Sequence, residues 1–353
     1  MQLTVYRDDS GFRALRNEWN ALLTGSRFNT LFLTWEWQFT WWSHFGSGDL
    51  WLLAWRDEAG SLVGIAPLYL ETSEAGERRL TLVGCLEVSD YLDVIISDGR
   101  EVDVYEALLD WLRGDEAPLW DVLDICNLPE ISLTHQMLPD LAASQGYSVA
   151  TIEKDVCPVI DLPDSWDGYL EMLGKKQRHE VRRKMRRSAE AGEVAWRIVD
   201  RSQDLAAEMD GFIELHRLSH PDKDQFMEPQ MQTFFHSAAQ IMLDSGWLQL
   251  SFLEINGQKA AAMLCFDYAD SILVYNSGYD PQLYSAISPG IVLLANVIRH
   301  AIEGLGRAQF DFLQGDEVYK YRFGAHETKV FRMLITRRDE GVGDQLALEV
   351  GHP

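Results

Sequence analysis

The chain has 353 residues, 46% of them hydrophobic, and 31 Lys and Arg against 55 Asp and Glu give it a formal net charge of −24. That length holds roughly two domains with their own cores, and the apolar share excludes a disordered chain. The charge argues against general affinity for nucleic acid or anionic membranes, and no bilayer-spanning stretch or export signal is read, so a soluble cytoplasmic protein is expected.

In chain order, Phe28, Phe32 and Trp35 recur at helical spacing, which predicts a buried aromatic face rather than a carbohydrate or lipid platform. Leu50 to Tyr69 reads as two strands around a polar turn with Gly60. Ser89-Asp90-Tyr91-Leu92-Asp93 sets two carboxylates and a Tyr at a strand start, so Asp90 and Tyr91 are candidate substrate groups facing an inter-domain groove; a polar hairpin edge explains them equally well. A strand at Tyr91 to Ile96, a helix at Val102 to Arg113 and a strand at Trp120 to Cys126 follow. Pro163 and its polar neighbours mark a boundary, giving domains 1–160 and 161–353.

From Lys175 to Arg187 there are eight Lys and Arg and one Glu, a basic amphipathic helix in an acidic chain. Arg182 and Arg183 are its candidate anion-binding residues, with a plain solvated face as the alternative. His216 near a helix end is a further candidate substrate group, although such histidines usually partner the helix dipole. The second half then repeats the first: a hairpin through Asn256-Gly257, a strand at Ile272 to Asn276, a helix at Pro289 to Glu303 and a strand at Gln309 to Leu313. The expected fold class is α/β (α+β), two tandem domains, each a mixed, mostly antiparallel sheet flanked by helices. Cys85, Cys126, Cys157 and Cys265 are widely spaced with no ligand pattern, so buried free thiols and no metal site are expected.

Three segments converge at strand ends of the second domain. Ser288 is placed to cap a helix whose first turn holds Pro289, Gly290 and Ile291, a ready anion site. The preceding strand ends in Asn276, with Tyr279 and Tyr284 just beyond. The neighbouring strand ends in Phe310-Asp311-Phe312-Leu313-Gln314-Gly315, which releases Asp316, Glu317, Tyr319 and Lys320 into one turn.

The run Phe310-Asp311-Phe312-Leu313-x-Gly315-x-Glu317-x-Tyr319-Lys320-x-x-Phe323-Gly324, with Ser288-Pro289-Gly290 one helix earlier, resembles the CelD-type acetyltransferases of bacterial cellulose and exopolysaccharide loci, members of the GNAT superfamily. Phe32-x-Thr34-Trp35-x-Trp37 and Val63 to Leu68 are similar to that family's first domain. The resemblance implies two GNAT-like domains, the second alone binding acetyl-CoA or another acyl-CoA on Asn276, Ser288, Pro289, Gly290 and Ile291. It also implies an anionic or sugar-like acceptor and peripheral contact with envelope-synthesis machinery, as monomer or homodimer. For acyl transfer to an amine, Asp311, Asp316 or Glu317 would take the amine proton, Lys320 would stabilise the oxyanion, and Tyr319 or Tyr284 would protonate the leaving group. The alternatives are a related Fem-type transferase with a tRNA-borne donor, which the acidic charge argues against along with DNA binding, and an inactive GNAT-like assembly protein.

Overall fold

The computed structural model describes residues 1–85, 88–190 and 192–337, apart from the side chain of Ser285, and the chain divides into two units. Of the described residues, the first comprises those within Met1–Asp155 together with Thr328–Arg337, and the second those within Val156–Glu327.

The first unit contains strands β1 (Gln2–Tyr6), β2 (Asp49–Arg56), β3 (Leu62–Thr72), β4 (Arg78–Leu82), β5 (Ile95–Ile96) and β6 (Val122–Pro129). Its helices are α1 (Ser10–Thr24), α2 (Trp35–Phe45), α3 (Glu101–Arg113) and α4 (Leu133–Ser144). Strand β7 (Tyr147–Asp161) leads into the second unit, which continues with α5 (Trp166–Met172), α6 (Lys175–Glu190) and β8 (Val194–Ile198). Helices α7 (Leu205–Ser219), α8 (Pro221–Phe226) and α9 (Pro229–Ser245) precede β9 (Leu248–Ile255), β10 (Gln258–Tyr268) and β11 (Ser271–Tyr279). Then come α10 (Pro289–Glu303), β12 (Gln309–Asp311) and α11 (Val318–Arg322), and β13 (His326–Arg337) returns the chain to the first unit.

In the first unit the strands lie in the order β1-β2-β3-β4-β6-β13, antiparallel except for the parallel β4–β6 pair, with β5 beside β3. The second unit has β8-β9-β10-β11-β12-β7, antiparallel except for the parallel β11–β12 pair. The two orders match strand for strand, as the repeated sequence pattern predicts. In each unit the parallel pair is joined through a helix, α3 or α10, because a parallel connection needs a crossover.

Several expectations change. The second unit begins at Val156 rather than 161, and β13 pairs with β6 in the first unit instead of ending the second. The Pro163 cluster marks the start of a helix, with Ser165 capping α5 by accepting from the Gly168 amide, not a change of unit. The strand at Tyr91 to Ile96 contracts to Ile95–Ile96, and β4 is a strand that the sequence reading does not include; Arg78 bridges Asp121 and Arg79 bridges both Glu77 and Asp124. Finally, Cys85 and Cys126 form a disulfide, because the parallel β4–β6 pairing brings residues 41 apart in sequence to a Cα separation of 6.0 Å. Cys157 and Cys265 are the buried free thiols expected.

Most of the aromatic run is core as expected, but Phe28, Phe32 and Trp35 lie in a loop, a 3-10 turn and the start of α2 rather than along one helix, and Phe28 is only partly buried. Phe32, Trp37 and Trp41 are fully buried, and Phe32 meets Trp37 edge-on with centroids 4.9 Å apart. In the second unit, α10 is buried on several sides, with Val292, Leu293, Ala295, Ile298 and Ala301 in a core shared with β9–β11, so its N-terminus is rigidly held. Among the described residues, no helix is long and apolar enough to cross a membrane.

Candidate active site

The second sheet splits at its parallel pair. Strand β11 pairs with β12 only over Ser271–Leu273 and then runs on to Tyr279, while β12 turns away after Asp311. On its other side β11 slips register against β10 between Leu264 and Cys265, leaving Tyr275 as an extra residue, and such a bulge bends the strand. A cavity of about 610 Å³ fills the resulting wedge. Its walls are β10, the end of β11, the first turns of α10, Lys223 of α8, and Glu317 and Tyr319 of the turn after β12.

Of the candidate donor-binding residues, Ser288, Pro289, Gly290 and Ile291 line this cavity. Ser288 corrects the expectation of a side-chain cap. It takes a left-handed φ of 55° with no side-chain bond, and its carbonyl accepts from the amides of Ile291 and Val292. Gly290 keeps the helix end open, since an added Cβ would meet only Tyr279 Cδ1 at 3.8 Å. A rigid, open helix N-terminus facing a cavity suits a phosphate-bearing ligand. Asn276 does not line the cavity; its Oδ1 accepts from His216 Nε2 at 2.9 Å.

The turn after β12 divides the signature residues by job. Asp311 is 8% exposed and accepts from the Leu313 amide at 2.7 Å, which supports the left-handed Leu313 at φ 57°. Lys320 is 3% exposed and spends its ammonium on Gln314 O at 3.1 Å, Gly315 O at 2.9 Å and Glu317 Oε2 at 2.8 Å. Gly315 has φ 118°, and a Cβ there would lie 2.7 Å from Glu317 Oε2, so only glycine fits. Asp316 is exposed and accepts from the Tyr321 hydroxyl at 2.7 Å. Glu317 and Tyr319 are the members that reach the cavity. Burial, then the nearby Glu317 charge, raises the Tyr319 hydroxyl well above its ordinary range, so it stays protonated at neutral pH.

Other candidates lie elsewhere. Tyr279 lines the cavity, but the Tyr284 hydroxyl is engaged by Asn256 and Ile255 O. Arg182 is exposed on α6, and Arg183 pairs with Glu180 of the same helix at 2.6 Å; neither lines the cavity. Asp90 and Tyr91 belong to the first unit, where Tyr91 is buried edge-on to Phe28 and Phe32. Sequence reasoning missed Lys223, which sits in a short exposed-looking helix with no apolar period to betray its inward ammonium.

His216 is a neutral structural group. It is 1% exposed, and its Nδ1 has no partner among the described residues. Burial, then the charge of Lys223, lowers its pKa to about 4 from 6.5, against the opposing bond from Asn276. Unfolded chains therefore bind a proton between pH 6.5 and 4 that folded ones refuse, so stability from this group is full above pH 6.5 and falls on acidification. Between pH 7.5 and 5 the stability advantage of wild type over His216→Gln should shrink by about 2 kcal/mol in urea titrations. A pH-independent difference would mean that His216 is not held neutral.

Residues 175–321 match the acetyltransferase (GNAT) domain family. The chain contains a GNAT-type acetyltransferase domain. This span covers α6 through α11 and so holds the cavity and the signature turn. Among solved structures, FemX aligns over 94% of this chain and 97% of its own, with a TM-score of 0.68 at 10% identity. The C-terminal domain of a putative lysylphosphatidylglycerol synthetase from Agrobacterium fabrum aligns over 96% and 95%, with a TM-score of 0.57 at 11% identity. L-PGS from Bacillus licheniformis aligns over 95% of each chain, with a TM-score of 0.55 at 10% identity. At these identities the likeness is one of fold. No curated protein matches the chain.

Proposed function

We propose that the protein is an acyl-CoA-dependent N-acyltransferase that moves an acetyl or longer acyl group to an amine on an amino sugar or envelope polysaccharide precursor. The observation that carries this reading is the cavity, which joins an open helix N-terminus, a splayed strand end, a carboxylate and a protonated phenol in one GNAT-type domain. Ser288 to Ile291 hold the donor's phosphate end. An acyl thioester supplies an activated carbonyl with a thiolate leaving group.

Glu317 accepts the proton of the attacking amine at its exposed carboxylate, directly or through water. Tyr319 delivers its hydroxyl proton to the departing sulfur and regains one from solvent, to which Glu317 releases the proton it took from the amine. Asp311 and Lys320 position these two groups by fixing the turn that carries them. Calorimetric titration with acetyl-CoA tests the reading, because a donor must bind with measurable affinity before transfer.

A further inference from the structure

One charged group in the cavity is left unused by this chemistry. Lys223 is partly buried, lines the cavity, and donates to Ser277 O at 2.6 Å. Among the described residues, no carboxylate lies within ion-pairing distance of it. Neither of the cavity's two carboxylates pairs with it. Glu317 bridges Lys320 at 2.8 Å, and Asp280 accepts from the amides of Gln282 at 2.7 Å and Leu283 at 3.3 Å.

Lys320 shows the contrast. It is more deeply buried, yet each of its three donors has an acceptor, as a structural lysine requires. An ammonium drawn from water with one protein partner and no ion pair is unfavourable until an anion joins it. Burial accordingly lowers the Lys223 pKa, and Glu317 is the nearby charge that opposes this.

We propose that Lys223 is an anion anchor of the transfer site, binding a phosphate monoester or carboxylate carried by the acceptor. The proposal rests on the cavity being the transfer site. Glu317, which takes the amine proton, lines the same cavity as Lys223, and on that ground the anion held there is assigned to the molecule that carries the amine. The anion-binding role expected of Arg182 and Arg183 thus passes to a residue that faces the cavity.

The test compares glucosamine 6-phosphate with glucosamine in thermal-shift titrations of wild type, Lys223→Met and Lys223→Arg at fixed ionic strength, with CoA as a separate arm. Wild type should prefer the phosphorylated sugar. Lys223→Met should bind it on the order of ten- to a hundredfold more weakly and lose the preference. Lys223→Arg should keep the preference, and the CoA shift should be equal in all three, which also reports that each variant is folded. A preference that survives in Lys223→Met, or a wild type indifferent to both sugars, overturns the proposal. So does a CoA shift lost along with the sugar shift, which would make Lys223 a donor group. Absence of a CoA shift in wild type, with a Lys223-dependent sugar-phosphate preference intact, would sink the acyl-CoA reading and leave the anion site standing.

Discussion

Glu317→Gln is expected to lower kcat by about 10²- to 10⁴-fold, the usual contribution of a general base, with little change in acetyl-CoA affinity. The substitution removes the proton-accepting charge and keeps an oxygen that can still accept from Lys320, so the turn retains its shape. The 2.8 Å Lys320–Glu317 pair adds little to stability, because the Glu317 side chain is 58% exposed and solvent screens it. Release of the CoA thiol in the presence of an amine acceptor measures the effect, and a kcat near wild type would remove Glu317 from the mechanism.

Lys320→Met should cost stability first. The methionine fills the space but leaves Gln314 O and Gly315 O without their donor, a loss of about 2–4 kcal/mol in urea denaturation. Turnover should fall with it, since Glu317 and Tyr319 hang from the same turn. A variant with unchanged stability but depressed turnover would instead place the ammonium at the reacting oxyanion, the role its position in the signature first implies.

The parts legible in sequence were those written in period and punctuation. Helix α10 runs from Pro289 to Glu303 as read, because its apolar spacing and Ser288-Pro289 start are local signals. The hairpin at Asn256-Gly257 forms because both residues take positive φ, 52° and 75°, the turn that this dipeptide favours. The cluster after Phe310 was recognisable as a site, but not how its residues divide. Lys320 looks catalytic in sequence, and its burial depends on carbonyls aimed back at it by the left-handed Leu313 and Gly315. Lys223 gave no signal, since one inward side chain on a six-residue helix has no periodicity. The Cys85–Cys126 pairing and the return of β13 to β6 are long-range consequences of strand order, and residue spacing does not encode them.

The central claim, that the wedge between β11 and β12 takes an acyl-CoA against the start of α10, is tested most directly by titration calorimetry of acetyl-CoA with wild type and Gly290→Glu. A carboxylate at this position faces open space and suits a helix N-terminus, so the fold should be unharmed while the anion is repelled. Saturable binding by wild type, weakened at least about tenfold in the variant, is the expected result. Absence of binding by wild type, or equal binding by both, would contradict the account.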